Sequence, residues 1–244
     1  MERYVVGTTD DRVGSMVVDH YSGIYYLARR QELAADFLQV IKGVIQLWED
    51  EFGYEQSQVM AVQALTLFDR LIDGFPDIGG EANCMVHLIP MAAWYVALYR
   101  PMKENGKKAE DVGKLLYEVR NDREEKNPGE NAHEEEERFS YQESLEKLRK
   151  WAFSTQKRKY PADWVCTFIP GNGGDFDFGY DYTECALIKY LTAQEVPELA
   201  PYVCQIDFSD NGFLSTGFQR TKAMGYGDDI CSFRYRGGRS VLQD

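Results

Sequence analysis

Asp229 and Cys231 stand two residues apart near the end of the chain, with Arg220 a short distance before them. In an extended strand, residues i and i+2 point to one face with side chains about 6–7 Å apart. A carboxylate and a thiol so placed can address one small substrate, although they are too far apart to hydrogen-bond directly. If the last two strands pair as a hairpin, Arg220 faces them, and its guanidinium fork can hold a substrate carboxylate. The plain alternative for Arg220 is an ion pair with Asp228 or Asp229. Hydrolysis of a small substrate by such groups needs an activated nucleophile, a proton donor for the leaving group and a group for the oxyanion. Cys231 is then the nucleophile or a polar contact, Asp229 the base or orienter, and Arg220 the anchor. Glu184 and Asp207 are the other carboxylates placed to act as bases, and Asp207 also suits substrate contact. Cys185 follows Glu184 at a strand-to-helix junction, where a helix N-terminus lowers a thiol pKa and offers N–H groups to an anion. It is the second nucleophile candidate, against plain core packing. The three histidines (His20, His87, His133) all precede the sheet-forming region. A Cys–His dyad therefore requires His87 to pack across the sheet near Cys185 or Cys231; otherwise His87 is a satisfied core histidine.

The elements that must position these groups follow from periodicity. Leu33, Phe37, Ile41, Val44, Trp48 and Phe52 form one stripe of a helix over 31–52 that stops at Gly53. A second helix over 56–72 shows Val59, Val62, Leu65, Phe68 and Ile72 on a broad apolar face. A third, over 82–103, is apolar nearly all round and should be central; Pro90 either kinks it or sits in the first turn of a shorter version. A fourth spans 110–120. The polar stretch 121–138 reads as a loop leading into a helix over 135–154, and His133 beside four glutamates reads as an acidic helix start.

After Pro161 the period changes from 3.6 to 2. A strand over 164–169 leads through Gly171, Asn172, Gly173 and Gly174 into a return strand. That strand carries Phe176, Phe178, Tyr180 and Tyr182 on one face and Asp175, Asp177 and Asp181 on the other. Tyr180 is thereby a candidate substrate contact, together with Arg220, Asp207 and His87. Helices over 183–194 and from Pro197 or Leu199 to 206 follow, then strands over 213–222 and 229–236, with a polar tail from Gly237. The class is α+β: a helical N-terminal half (1–80 as an extension) packed on a C-terminal antiparallel sheet with two inserted helices, within 81–238.

Composition narrows the partners. The 44% apolar content and 14% aromatics exclude disorder over most of the chain. The net charge of −13 repels phosphate backbones and anionic lipid, so neither nucleic acid nor membrane is an expected partner. No apolar run approaches the roughly 20 residues of a transmembrane helix, and the first residues lack a signal peptide's basic start and apolar core. A cytoplasmic protein acting on a small molecule is expected, with a homo-oligomer left open. Five widely spaced cysteines without a CxxC pair give neither a disulfide framework nor a zinc knuckle, and each reads as a small buried hydrophobe. GxGxxG after a strand, P-loop, GxSxG and HExxH motifs are all missing. No cofactor or metal is expected.

Four blocks are similar to one family. They are Ala97-Leu98-Tyr99 with Glu104-Asn105-Gly106 and the helix behind it; Asp177 to Ala186; Pro197 to Asp207; and Arg220-Thr221 with Gly227 to Tyr235. They resemble the L-2-amino-thiazoline-4-carboxylic acid hydrolase family over about two-thirds of the chain, 82–236. The last block is close to that family's Cys-Asp-Phe-Arg-Phe ending, with Ser232 where the pattern has an acid. The resemblance implies hydrolysis of a non-peptide C–N bond in a small cyclic amidine-like or lactam-like carboxylate. It also implies a fold like that of 4-vinyl-reductase-type small-molecule-binding domains. The cavity is expected between the sheet and the central helix. The competing function is a sensor or carrier that holds an apolar ligand without turnover.

Overall fold

A computed structural model describes residues 24–126, 141–171, 173–205, 207 and 217–236. His20, His133, most of the 121–138 stretch, the start of the 213–222 strand and the tail after Arg236 lie outside the described residues. Among the described residues, six α-helices precede the sheet: α1 (Ile24–Ala28), α2 (Arg30–Phe52), α3 (Tyr54–Ile72), α4 (Leu88–Glu104), α5 (Ala109–Lys126) and α6 (Tyr141–Thr155). The α2 stripe buries Phe37, Ile41, Val44 and Trp48. Gly53, at φ +80°, ends α2 and opens α3, a left-handed conformation that favours glycine.

The expected face of α3 holds in its second half, where Phe68 and Ile72 are buried and Leu65 is half-buried, and fails in its first. Val59 and Val62 are exposed, and Ser57, Met60, Ala61 and Ala64 are buried in their place. Ala61 and Ala64, with little side chain, take buried positions where the branched valines point to solvent. Helix α4 is central as expected, packed among α3, α5 and the helix that follows β2. It begins at Leu88 rather than near 82, because Gly80–Ala82 forms a separate 3-10 turn. Pro90 therefore falls in the first turn. Helix α5 continues to Lys126, so residues 121–126 are helical rather than loop.

The sheet holds β1 (Val165–Pro170), β2 (Phe178–Glu184), β3 (Gln219–Arg220) and β4 (Cys231–Tyr235), all antiparallel, in the order β1-β2-β4-β3. Helices α7 (Ala186–Ala193) and α8 (Ala200–Val203) lie between β2 and β3. The α+β expectation holds, with the two inserted helices. Strand β2 runs on through Thr183 and Glu184, so α7 starts later than expected.

Register sorts the sheet into two faces. Phe168 opposes Tyr180, Tyr180 opposes Phe233, and Arg220 opposes Phe233 across the next ladder. Cys166, Tyr182 and Cys231 form the adjacent row. One face thus carries Phe178, Tyr180, Tyr182, Phe233 and Tyr235, in stacked and edge-on ring contacts with centroids 4.9–6.3 Å apart. The other carries Asp181 and Arg234, joined at 2.7 Å. Phe178, Tyr180 and Tyr182 are buried while Asp175 and Asp177 are exposed. Phe176 is only half-buried, because the strand begins at Phe178 and the alternation does not reach it. Its ring lies 5.2 Å from the Arg234 guanidinium.

One hydrophobic cluster runs from Tyr26 and Phe37 through α4 to Phe233. Among the described residues, no helix is long and apolar enough to cross a membrane.

Candidate functional site: a buried carboxylate–guanidinium pair on the aromatic face

Arg220 lies at the end of β3 with its side chain only 2% exposed. Its Nη1 donates to Asp207 Oδ2 at 2.6 Å and to the carbonyl of Cys204 at 2.8 Å. Cys204 and Asp207 are three residues apart in sequence. The guanidinium also sits 5.7 Å from the Tyr226 ring and 5.8 Å from Phe233, within cation–π range.

Asp207 keeps 29% of its side-chain surface, with thiols and phenols close enough to feel its charge. Burial raises its pKa from the ordinary carboxylate value to about 6, against the opposing charge and hydrogen bond of Arg220. Its charge acts on Cys185, Cys204 and Cys231 and on the phenols of Tyr182 and Tyr235. Burial raises all of these as well; Cys185 reaches about 12. The Cys231 thiol is raised despite accepting a hydrogen bond from Met224 N at 3.2 Å.

The 3-10 turn Met224–Tyr226 ties the pieces together. A Cβ on Gly225 would meet Cys204 Sγ at 2.5 Å and the Ala200 carbonyl at 3.0 Å, so only glycine lets this turn lie against α8. The turn thereby brings Cys231, held through Met224 N, beside Cys204 and the Asp207–Arg220 pair.

The expected site residues separate into two groups. Arg220, Asp207, Cys231, Cys185 and Tyr180 gather on or around the aromatic face. Asp229, Glu184 and His87 do not. Asp229 lies in the bend before β4, exposed and paired to Lys222 at 3.0 Å, which lowers its pKa. The strand starts only at Cys231, because Gly227 at φ +98° turns the chain and residues 229–230 form a bend. Arg220 therefore opposes Phe233 rather than Asp229, and its partner is neither Asp228 nor Asp229 but Asp207. Glu184 is taken by Arg158 and Lys189. His87 is exposed at the N-terminus of α4 and does not pack across the sheet.

Cys185 does stand at the N-cap of α7, without a side-chain cap hydrogen bond; desolvation raises its pKa and outweighs the lowering by the Ile188 and Leu187 N–H groups. The helix-terminus expectation of a lowered thiol is thus reversed. Four cysteines are buried as expected; Cys84 is exposed. Among the described residues no group of His, Cys, Asp and Glu is placed to hold a metal. The Cys204 carbonyl, Tyr182 and Tyr235 were not anticipated; the three-residue spacing of Cys204 and Asp207 was the available signal.

Ser232 resolves the departure from the family ending. It sits on the opposite face from Cys231, and its Oγ accepts from Lys222 N at 3.0 Å and Thr221 N at 3.3 Å. An acid at this position would meet the same two N–H groups.

The family model described as L-2-amino-thiazoline-4-carboxylic acid hydrolase matches residues 88–235, more than half of the chain. Comparison with curated proteins and with solved structures finds no match.

Proposed function

The chain belongs to the L-2-amino-thiazoline-4-carboxylic acid hydrolase family, and we propose that it opens a small cyclic amidine-like carboxylate with Asp207 as its general base. The observation that carries this reading is a carboxylate raised to about 6 beside a buried arginine on an aromatic face. At neutral pH such a group is mostly ionised, yet basic enough to take a proton from water. Water adds through oxygen to the ring carbon between the heteroatoms, and its proton passes to Asp207. The C=N π pair goes to the ring nitrogen, which takes that proton back from Asp207. The ring C–N bond then breaks as the added hydroxyl closes to a carbonyl, and the hydroxyl proton follows through Asp207 to the leaving nitrogen, which departs as an amine. Arg220 keeps Asp207 oriented and holds positive charge next to the developing oxyanion. Tyr182, Tyr235 and Phe233 offer flat surfaces to a planar amidine ring. Cys231 serves as a polar contact, because a thiol with a raised pKa supplies little thiolate at neutral pH.

The raised thiols also favour the second reading, a binding domain without turnover. Incubation of the full chain with L-2-amino-thiazoline-4-carboxylate, followed by mass spectrometry, separates the two. Ring-opened product is expected, and Asp207→Asn should lower kcat by roughly 10²-fold or more with near-UV circular dichroism unchanged. Binding of the compound without conversion would establish the second reading. Conversion that survives Asp207→Asn would remove Asp207 from the mechanism.

A further inference from the structure

Away from the Asp207–Arg220 pair, a cleft of about 220 Å³ opens where the loop after Ile78 meets the turn that follows α6. Its floor holds Asp163, 7% exposed, and Asn83, 3% exposed. Asp163 Oδ1 accepts from Asn83 Nδ2 and from Trp164 N, each at 2.8 Å. Oδ2 has no hydrogen-bond partner among the described residues. Burial raises the carboxyl pKa above its usual value, as expected for a carboxylate short of donors. The indole N–H of Trp151, another lining residue, is buried without a partner.

The mouth has the opposite sign. Lys157, Arg158 and Lys159 follow one another there, in a chain whose net charge is −13. Arg158 is engaged by Glu184, whereas Lys157 makes no ion pair among the described residues. Ile78, Ala82 and Tyr160 supply apolar lining.

A buried carboxylate and exposed cations lining one cleft of this volume match a small molecule that carries both an ammonium and a carboxylate. We propose that this cleft binds a small α-amino acid with a neutral apolar side chain, its ammonium on Asp163 and its carboxylate on Lys157. The ammonium gives Oδ2 the donor it lacks, and the side chain lies along Ile78, Ala82 and Tyr160. A simple amine leaves the basic mouth unused, and a simple anion meets the Asp163 charge.

Calorimetric titration of the full chain with L-leucine tests this. L-leucine should bind at millimolar concentration or below. N-acetyl-L-leucine, which lacks the ammonium, and L-leucinamide, which lacks the carboxylate, should each bind at least about tenfold more weakly. Lys157→Glu, a surface change, should weaken L-leucine binding by a similar factor, and so should Asp163→Asn. If Asp163→Asn does not fold, Lys157→Glu and the two blocked ligands carry the test. The proposal is overturned if L-leucine does not bind, if either blocked ligand binds equally well, or if Lys157→Glu leaves the affinity unchanged. Binding that is lost in Asp207→Asn and kept in Lys157→Glu would move the ligand to the other site and equally sink the proposal.

Discussion

Asp207 combines two properties that a general base needs, a reachable oxygen and a proton affinity near neutrality. Its pKa of about 6 gives the expected pH dependence. The base form is the ionised one, so kcat/KM should rise with pH through about 6 and level off above it; a flat profile between pH 5 and 8 would count against Asp207. Stability runs the other way. A carboxyl whose folded pKa lies above its unfolded value stabilises the fold fully below the unfolded pKa. That contribution is lost as pH rises through the folded pKa, here by up to about 3 kcal/mol between pH 4 and 6. Cys231 supplies a second residue-level test. In Cys231→Ser the hydroxyl can still accept from Met224 N, so the change should cost less than about 1 kcal/mol of stability. Activity should stay within about tenfold if the thiol is only a contact, and a fall of several orders of magnitude would restore it as nucleophile. The Asp207–Arg220 pair was half legible. Each residue stood out by type, but their meeting depends on how the chain folds between α8 and β3, which no local periodicity encodes.

Strands and turns decide which side chains can cooperate. The alternation from Phe178 to Tyr182 was readable because one face of β2 is buried, and a one-residue slip would turn every aromatic to water. The beginning of β4 was not readable. Asp229 fits an extended pattern by spacing, and only the left-handed Gly227 and the bend at 229–230 take it out of the strand. The same bend makes Ser232 a structural residue. Its Oγ accepts from two backbone N–H groups and hydrogen-bonds Thr221 Oγ1 at 2.9 Å, fastening the end of β3 to β4. Ser232→Ala removes that acceptor and leaves the Lys222 N–H poorly served, which should cost about 1–3 kcal/mol. Because Ser232 faces away from Cys231 and Arg220, kcat at a permissive temperature should change by no more than about twofold. A large fall in kcat with an unchanged melting temperature would mean that the polar face of the sheet takes part in the chemistry.

At the scale of the whole molecule, the matched region begins at residue 88, yet the packing does not. Phe37 on α2 lies 4.5 Å from Phe68 on α3, which meets Phe75 edge-on at 6.3 Å; Phe75 in turn meets Tyr190 of α7 at 5.9 Å. This run of rings joins the first helices to α7, whose N-cap is Cys185, beside the candidate site. The helices of α2 and α3 were legible one by one, while their docking onto α4 and α7 rests on which face of α3 is buried, and Val59 and Val62 gave the wrong one. We propose that residues before 81 and the matched region fold as one unit. Phe68 is 1% exposed, and Phe68→Ala should destabilise by about 3–5 kcal/mol through lost transfer energy and the cavity left behind. The unfolding transition should stay single, with far-UV and near-UV circular dichroism falling together at a lower temperature. Separate transitions, with the near-UV signal of the sheet aromatics surviving the first, would show that the early helices are an independent layer. Activity per folded molecule should persist in either case, because Phe68 lies two ring contacts away from α7 and touches none of the groups around Asp207.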